Sequence, residues 1–205
     1  MLFGRAGDTP LVGDWDGDGI ATPGVKRGNT YYLVNSIRGG NADVVFSYGR
    51  AGDTPLVGDW DGDGSQTISV RRGHTFYLNT GLEGGNAEAT FMFGRDGDTP
   101  VVGDWNGDGK DTLAVRRGAV FYFTDRLAGG KATSEFTVGD GKEIALAGRW
   151  VSGQKADTIG LVSDGTFQIL DQKGAGGHSS QVARAPRYLS GVFADKAPDT
   201  LALHG

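Results

Sequence analysis

The chain carries three acidic loops in which oxygen-bearing side chains occupy alternate positions. Each loop begins forty-five residues after the previous one. They read Asp14-Trp15-Asp16-Gly17-Asp18-Gly19, Asp59-Trp60-Asp61-Gly62-Asp63-Gly64 and Asp104-Trp105-Asn106-Gly107-Asp108-Gly109. Side-chain oxygens at positions 1, 3 and 5 of a tight turn are ligands that suit a hard cation such as Ca²⁺. The pattern therefore predicts up to three bound calcium ions.

The glycine and carbonyl that follow the acids support this interpretation. Glycine at position 6 lets the chain bend where a Cβ would clash, and the backbone carbonyl at position 7 is expected to be a further ligand. The predicted ligand set is Asp14, Asp16, Asp18, Ile20, Asp59, Asp61, Asp63, Ser65, Asp104, Asn106, Asp108 and Lys110. A metal-free Asx turn is the alternative, because Asp and Gly dominate tight turns. Three copies favour metal, since crowded carboxylates repel and a cation removes that cost.

Composition and charge exclude several classes of function. The formal charge is −5, and eight of the acids are loop carboxylates, so three divalent cations would bring the charge to +1. No basic surface for nucleic acid is indicated. There are no cysteines, hence no disulfides or thiolate chemistry. No apolar run approaches the roughly 18 residues that span a bilayer, so we expect neither a nucleic-acid partner nor membrane insertion.

The constant interval indicates a repeat protein whose units bury their apolar faces against each other. The first unit contains four predicted strands, at residues 11–15, 22–26, 30–34 and 43–48, separated by glycine and Asx turns. Units of 40 to 50 residues with four strands are typical of propeller blades. We therefore predict an all-β β-propeller with little helix, forming one domain over residues 1–205. The repeats are 6–50, 51–95, 96–140 and 141–188.

The last part of the chain is degenerate. The fourth repeat keeps Trp150 but has lost the acids, and residues 189–205 read as part of a fifth repeat. Residues 1–5 supply a spare strand that could complete this repeat, which predicts five blades with an incomplete or shared closing blade. A longer parent chain, or pairing between molecules, would provide the missing strand. The sequence starts directly in the repeat without a basic and apolar leader, which indicates either a protein that is not secreted or a domain of a longer chain. We expect the second, because both termini fall inside a repeat.

The loops, together with aromatic-glycine pairs such as Tyr48-Gly49, resemble the FG-GAP and VCBS-like repeats of integrin-type propellers and their bacterial secreted relatives. The resemblance covers the first three units well. It implies calcium binding, an extracellular or cell-surface location, and a role in adhesion or attachment. An acid at position 9 completes the calcium site in that family, whereas this chain has Thr22, Thr67 and Thr112 there. We therefore expect weak sites, near 10⁻⁴–10⁻³ M.

Two recurring residues are expected to be structural. The position-9 threonine returns as Thr158 and Thr200, where the acids are gone, so its main role is expected to be starting the second strand. Direct contact with the metal is the alternative. Trp150 likewise persists without the acids, so the four tryptophans are expected to pack between blades rather than to serve as sugar platforms.

Basic and aromatic residues gather at the turns on the propeller face opposite the acidic loops. The candidate ligand-binding residues there are Arg27, Tyr31, Arg72, Phe76, Arg117 and Phe121. In one interpretation, the arginines pair with Asp8, Asp53 and Asp98 and fix the blades to each other. In the other, part of this face recognises an acidic or sugar ligand, which arginine forks and aromatic faces suit.

Catalysis finds little support in the sequence. The histidines are scattered, and no nucleophile elbow or paired-acid motif occurs. We therefore predict a non-enzymatic, calcium-binding module that attaches to a glycan or protein at a cell surface. The alternatives are a non-catalytic targeting domain of a secreted hydrolase and a ligand-free spacer. The sequence leaves the oligomeric state open.

Overall fold

Each repeat of the sequence folds into one antiparallel sheet of four strands. A computed structural model describes residues 3–38, 40–150, 153–163 and 166–169, and the backbone of 180–182. These residues form sixteen strands and no helix. Accordingly, the described part of the chain contains no helix long and apolar enough to cross a membrane.

In each sheet the order of the strands in space follows their order in the chain. The first sheet contains β1 (Thr9–Gly13), β2 (Thr22–Arg27), β3 (Thr30–Leu33) and β4 (Val44–Ser47). The second contains β5 (Thr54–Gly58), β6 (Thr67–Arg72), β7 (Thr75–Leu78) and β8 (Ala89–Met92). The third contains β9 (Thr99–Gly103), β10 (Thr112–Arg117), β11 (Val120–Thr124) and β12 (Ser134–Thr137). The fourth contains β13 (Ile144–Gly148), β14 (Thr158–Ser163), β15 (Thr166–Ile169) and β16 (Ser180–Val182).

The four sheets are the blades of a β-propeller. Their first strands are innermost, and β5 contacts both β1 and β9, while β9 also contacts β13. The predicted all-β propeller with four-stranded blades is confirmed. The prediction of five blades is wrong, because the described residues build four. Residues 3–5, expected in a closing strand, lie outside any strand, and the partial repeat at 189–205 lies outside the described residues.

A glycine ends each innermost strand because the tryptophan two residues later packs against it. A Cβ on Gly58 would lie 3.0 Å from the Trp60 ring and 2.9 Å from Val102 of the next blade. Trp60 is buried in a cluster that includes Leu113 and Val115 of the third blade. Trp15 and Trp105 occupy the same place at the other two junctions. The predicted packing of these tryptophans between blades is confirmed.

In the second and third blades, the glycine-rich turn before the outermost (fourth) strand approaches the preceding blade closely. A Cβ on Gly84 would lie 2.7 Å from the carbonyl oxygen of Ser47, in β4. Gly129 lies in the same way against Met92, in β8, where a Cβ would be 3.2 Å from the carbonyl oxygen. Only glycine leaves room for this contact. The turn of one blade thus covers part of the otherwise unpaired edge of the blade before it.

Candidate functional site

The three acidic loops lie side by side where each innermost strand turns into the second strand. A Cβ built on Gly17 of the first loop would lie 3.0 Å from Ser65 Oγ, at the end of the second loop. One built on Gly62 would lie 3.0 Å from Cγ of Lys110, at the end of the third. The loops therefore form a continuous arc at one end of the propeller.

The first acid of each loop holds the turn in shape through hydrogen bonds from its own backbone. Asp14 Oδ1 accepts from the N–H groups of Gly17 at 2.8 Å and Asp18 at 3.1 Å, and Oδ2 accepts from Gly19 at 2.9 Å. Asp59 and Asp104 make corresponding bonds in their loops. The turn is thereby preorganised.

In the first two loops, the three carboxylates converge. Asp14, Asp16 and Asp18 each offer an oxygen within 4.8 Å of the others, and Asp59, Asp61 and Asp63 do the same. Two calcium ligands on opposite sides of the ion are about 4.8 Å apart, given Ca–O distances near 2.4 Å. The acids at positions 3 and 5 are exposed. Both loops therefore fit a hard cation in donor type, spacing and access.

The third loop differs because the side-chain amide of Asn106 forms hydrogen bonds within the turn. Asn106 Nδ2 donates to Asp108 Oδ2 at 2.9 Å, and Asn106 Oδ1 accepts from the Asp108 N–H at 3.0 Å. The hydrogen bonds from Asn106 and from the N–H of Lys110 lower the pKa of Asp108. This loop contains two carboxylates, of which one is already stabilised by the amide.

The residues at positions 7 and 9 belong to the backbone framework. The N–H groups of Ile20, Ser65 and Lys110 each donate to the position-5 carboxylate, at 2.8, 2.7 and 2.9 Å. Their carbonyls remain predicted ligands. As expected for a structural threonine, β2, β6 and β10 begin at Thr22, Thr67 and Thr112. Thr67 Oγ1 donates to the Asn79 carbonyl at 2.8 Å, and Thr22 Oγ1 to that of Gly13 at 3.4 Å.

Sequence reasoning missed a set of junction residues that join each acidic loop to the next blade. Gln66 N–H donates to the Asp14 carbonyl at 2.7 Å, and Gln66 Oε1 accepts from the Asp14 N–H at 3.0 Å. Asp111 and Asp157 make the same pair of bonds with Asp59 and Asp104, at 2.7 and 2.8 Å in each case. The sequence signal for these residues is a hydrogen-bond-accepting side chain directly before the position-9 threonine, which occurs in three repeats as Gln66, Asp111 and Asp157.

Burial raises the pKa of Asp111 to about 7, against the hydrogen bond from the Asp59 N–H. The neighbouring carboxylates of Asp157, Asp59 and Asp104 raise it further. Burial also raises the pKa of Asp157, although the Asp104 N–H and the guanidinium of Arg149 act in the opposite direction. Two carboxyl groups with raised pKa values therefore lie on the inner side of the loops, close to the carboxylates of Asp59 and Asp104.

A cavity of about 460 Å³ lies between the innermost strands β5, β9 and β13. Its apolar wall comes from Pro55, Leu56, Val57, Pro100, Val101, Val102, Ala145, Leu146 and Ala147. The inner side of the acidic loops lies at one end of it, through Asp14, Asp59, Asp104 and the junction residues. No sequence pattern indicated this cavity, because three separate repeats contribute to it.

On the opposite face, the second strand of each of the first three blades ends in a pair of basic residues, Lys26-Arg27, Arg71-Arg72 or Arg116-Arg117. The second residue of each pair binds an aspartate of its own blade. Arg72 forms a two-pronged ion pair with Asp53, at 2.7 and 2.6 Å, and its guanidinium lies 4.7 Å from the centroid of the Tyr77 ring. Arg27 and Arg117 form the same unit with Asp8, Tyr32, Asp98 and Tyr122. These arginines are about one-third exposed.

The first residue of each basic pair is buried and reaches the next blade. Lys26 Nζ donates to the Ala51 carbonyl at 2.7 Å. Arg71 donates to the carbonyls of Asp98 and Arg95, and Arg116 pairs with Glu143. These residues therefore fix the blades to each other, whereas the exposed arginines act within one blade.

The aromatic part of the predicted ligand-binding set is wrong. Tyr31, Phe76 and Phe121 are 0% exposed, so they offer no face to a surface ligand. Each stacks on a phenylalanine of the outermost strand, Phe46, Phe91 or Phe136. Because side chains alternate along a strand, the next residue points outward. The partly exposed rings at the arginines are consequently Tyr32, Tyr77 and Tyr122.

Comparison with known proteins adds no relative, since no protein-family profile, curated protein or solved structure matches this chain significantly.

Proposed function

We propose that this chain is a calcium-stabilised propeller module that attaches to a glycan or protein at a cell surface. The observation that supports calcium is the convergence of three carboxylates within 4.8 Å in each of two adjacent loops. The amides of each turn hold its first carboxylate in place, so little reorganisation is needed when an ion binds. Without a carboxylate at position 9, we expect dissociation constants near 10⁻⁴–10⁻³ M.

Calcium acts in this proposal as a structural ion. It relieves the repulsion among the three acids of a loop and cross-links a turn that joins two strands of one blade. Because neighbouring loops touch, this also stiffens the arc that they form. Binding should therefore stabilise the folded state by RT ln(1 + [Ca²⁺]/Kd) at each site, as for any ligand that binds only the native protein.

Calorimetric titration of EGTA-treated protein with CaCl₂ tests the metal sites. We expect two ions per chain and a higher melting temperature in calcium, with the second loop losing its ion in Asp61→Ala. Glu135→Gln is the matched control, because it removes an exposed charge on β12, outside the loops. An unchanged melting temperature under EGTA, or calcium binding that persists in the double variant Asp16→Ala/Asp61→Ala, would contradict the proposal.

Attachment to a partner is supported by the face that carries the three exposed arginine–tyrosine units. The partly exposed tyrosine ring of each unit is the group available to a sugar or protein partner, because the arginine fork beside it is already held by an aspartate. A glycan array and a pull-down from cell surfaces test this part, both in about 5–10 mM calcium, which is roughly five to ten times the weakest expected dissociation constant. If both remain blank while calcium still stabilises the protein, a spacer is the better description.

A further inference from the structure

The cavity between β5, β9 and β13 has the size and shape of a small-molecule site. Its volume of about 460 Å³ lies within the range of 300–1,000 Å³ found for ligand pockets. It extends along the innermost strands from Thr54 and Thr99 to the acidic loops. Five strand steps correspond to roughly 16 Å. Proline, valine, leucine and alanine form most of its wall.

One end of this cavity is strongly acidic. Five carboxylates line it, those of Asp14, Asp59, Asp104, Asp111 and Asp157. Arg149 is the one basic residue among its described lining residues, and it pairs with Asp157, with Nε 3.4 Å from Oδ1. Apolar walls reduce the screening of these charges by water, so the cavity concentrates negative potential at this end.

The negative charge exceeds what the blade junctions require. Gln66 makes the junction hydrogen bonds with a neutral amide, whereas Asp111 makes the same bonds with a carboxylate. Among the residues that the structure describes, no basic side chain pairs with Asp111 and no donor forms a hydrogen bond to its Oδ1. The junction uses Oδ2 of Asp111 and leaves Oδ1 available to a cation in the cavity. An amide would hold the blades together equally well.

We propose that the cavity binds a small organic cation, an ammonium group carried on an apolar body. The ammonium group lies at the acidic end, near Asp111, and the apolar body lies along the strands toward Thr54 and Thr99. A bare metal ion would use only the acidic end, and a neutral apolar molecule only the wall. The inference goes beyond the proposed calcium sites: their position-1 ligands Asp14, Asp59 and Asp104 also line the cavity, whereas their position-3 and position-5 ligands are on the exposed side of the loops.

Binding of three probes with the same six-carbon chain tests the proposal directly. Hexylammonium, hexanol and hexanoate are titrated into the protein at pH 8 in EGTA, with methyl NMR as the readout. We expect saturable binding of hexylammonium, about tenfold weaker binding of hexanol, and none of hexanoate. The methyl resonances of Val102 and Leu146 should shift, while those of Val45, exposed on β4, should stay unchanged.

Two substitutions at equivalent junction positions change the charge and keep the hydrogen bonds. Asp111→Asn should weaken hexylammonium binding about tenfold and leave hexanol binding unchanged, and Gln66→Glu should strengthen hexylammonium binding. Equal affinity for all three probes, no saturable shift at Val102 and Leu146, or an Asp111→Asn variant that binds like the parent protein would overturn the proposal. Calcium titration is measured separately, so failure here is distinguishable from failure of the metal sites.

Discussion

The junction hydrogen bond of Gln66 offers a quantitative test of how the blades are joined. Gln66 and Asp14 are 7% and 8% exposed, and Gln66 Oε1 accepts the Asp14 N–H at 3.0 Å. Gln66→Ala leaves this buried N–H without its acceptor, which costs about 1–3 kcal/mol. Loss of one buried methylene adds about 0.8 kcal/mol. We expect the free energy of unfolding to fall by about 2–4 kcal/mol.

Urea unfolding measures the total effect, and amide hydrogen exchange locates it. The Asp14 N–H should exchange much faster in Gln66→Ala, while the N–H of Gln66, which donates to the Asp14 carbonyl, should change less. Gln66→Asn is the matched control, because it keeps a neutral hydrogen-bond acceptor. Its side chain is shorter than that of glutamine and has the same length as that of Asp111, which makes the equivalent bond at the next junction. If the alanine and asparagine variants lose the same stability, the hydrogen bond is not what joins these blades.

Three further predictions concern the loops, a turn and an ion pair. Lys110→Ser removes a positive charge beside Gly62 of the second loop. Calcium binding at that loop, measured by calorimetry, should become about three- to tenfold tighter. An unchanged affinity would show that the lysine charge does not oppose calcium there. Gly49 has φ +66°, and a Cβ on it would lie 2.9 Å from Asp53. Gly49→Ala should therefore lower the free energy of unfolding in urea by about 1–3 kcal/mol. Gly52→Ala is the control and should be close to neutral, because Gly52 has open space around it. Burial raises the pKa of Asp53, but Arg72 and the Arg50 N–H hold it below its usual value. Because the unfolded chain then takes up the proton first, stability should fall as the pH drops below about 4, less steeply in Asp53→Asn.

Much of the fold follows from local patterns in the sequence. The threonine at position 9 starts the second strand of each blade, and the Gly-Asp-Trp sequence places a ring at each blade junction, because both depend on residues close together in the chain. The number of blades did not follow, because residues 1–5 were interpreted as a strand that closes a fifth unit with residues 189–205. A local pattern does not show whether such a segment finds a strand to pair with, and residues 3–5 lie outside any strand.

The site divides in the same way. The convergence of Asp59, Asp61 and Asp63 is local and could be read from their spacing. The choice between Tyr31 and Tyr32 as the outward ring could not, since both are tyrosines and only packing against the rest of the blade distinguishes the two faces. The pairing of Gln66 with Asp14 spans 52 residues and links two repeats. No single-repeat pattern contains it.

The direction of the junction hydrogen bonds has a consequence for biosynthesis. In all three observed junctions, the acceptor side chain belongs to the later blade and the loop that it binds belongs to the earlier one. The first blade has Ala21 at this position, which carries no acceptor side chain. Each newly translated blade can therefore dock onto one already folded, so the propeller can grow from its amino-terminal side as the chain leaves the ribosome.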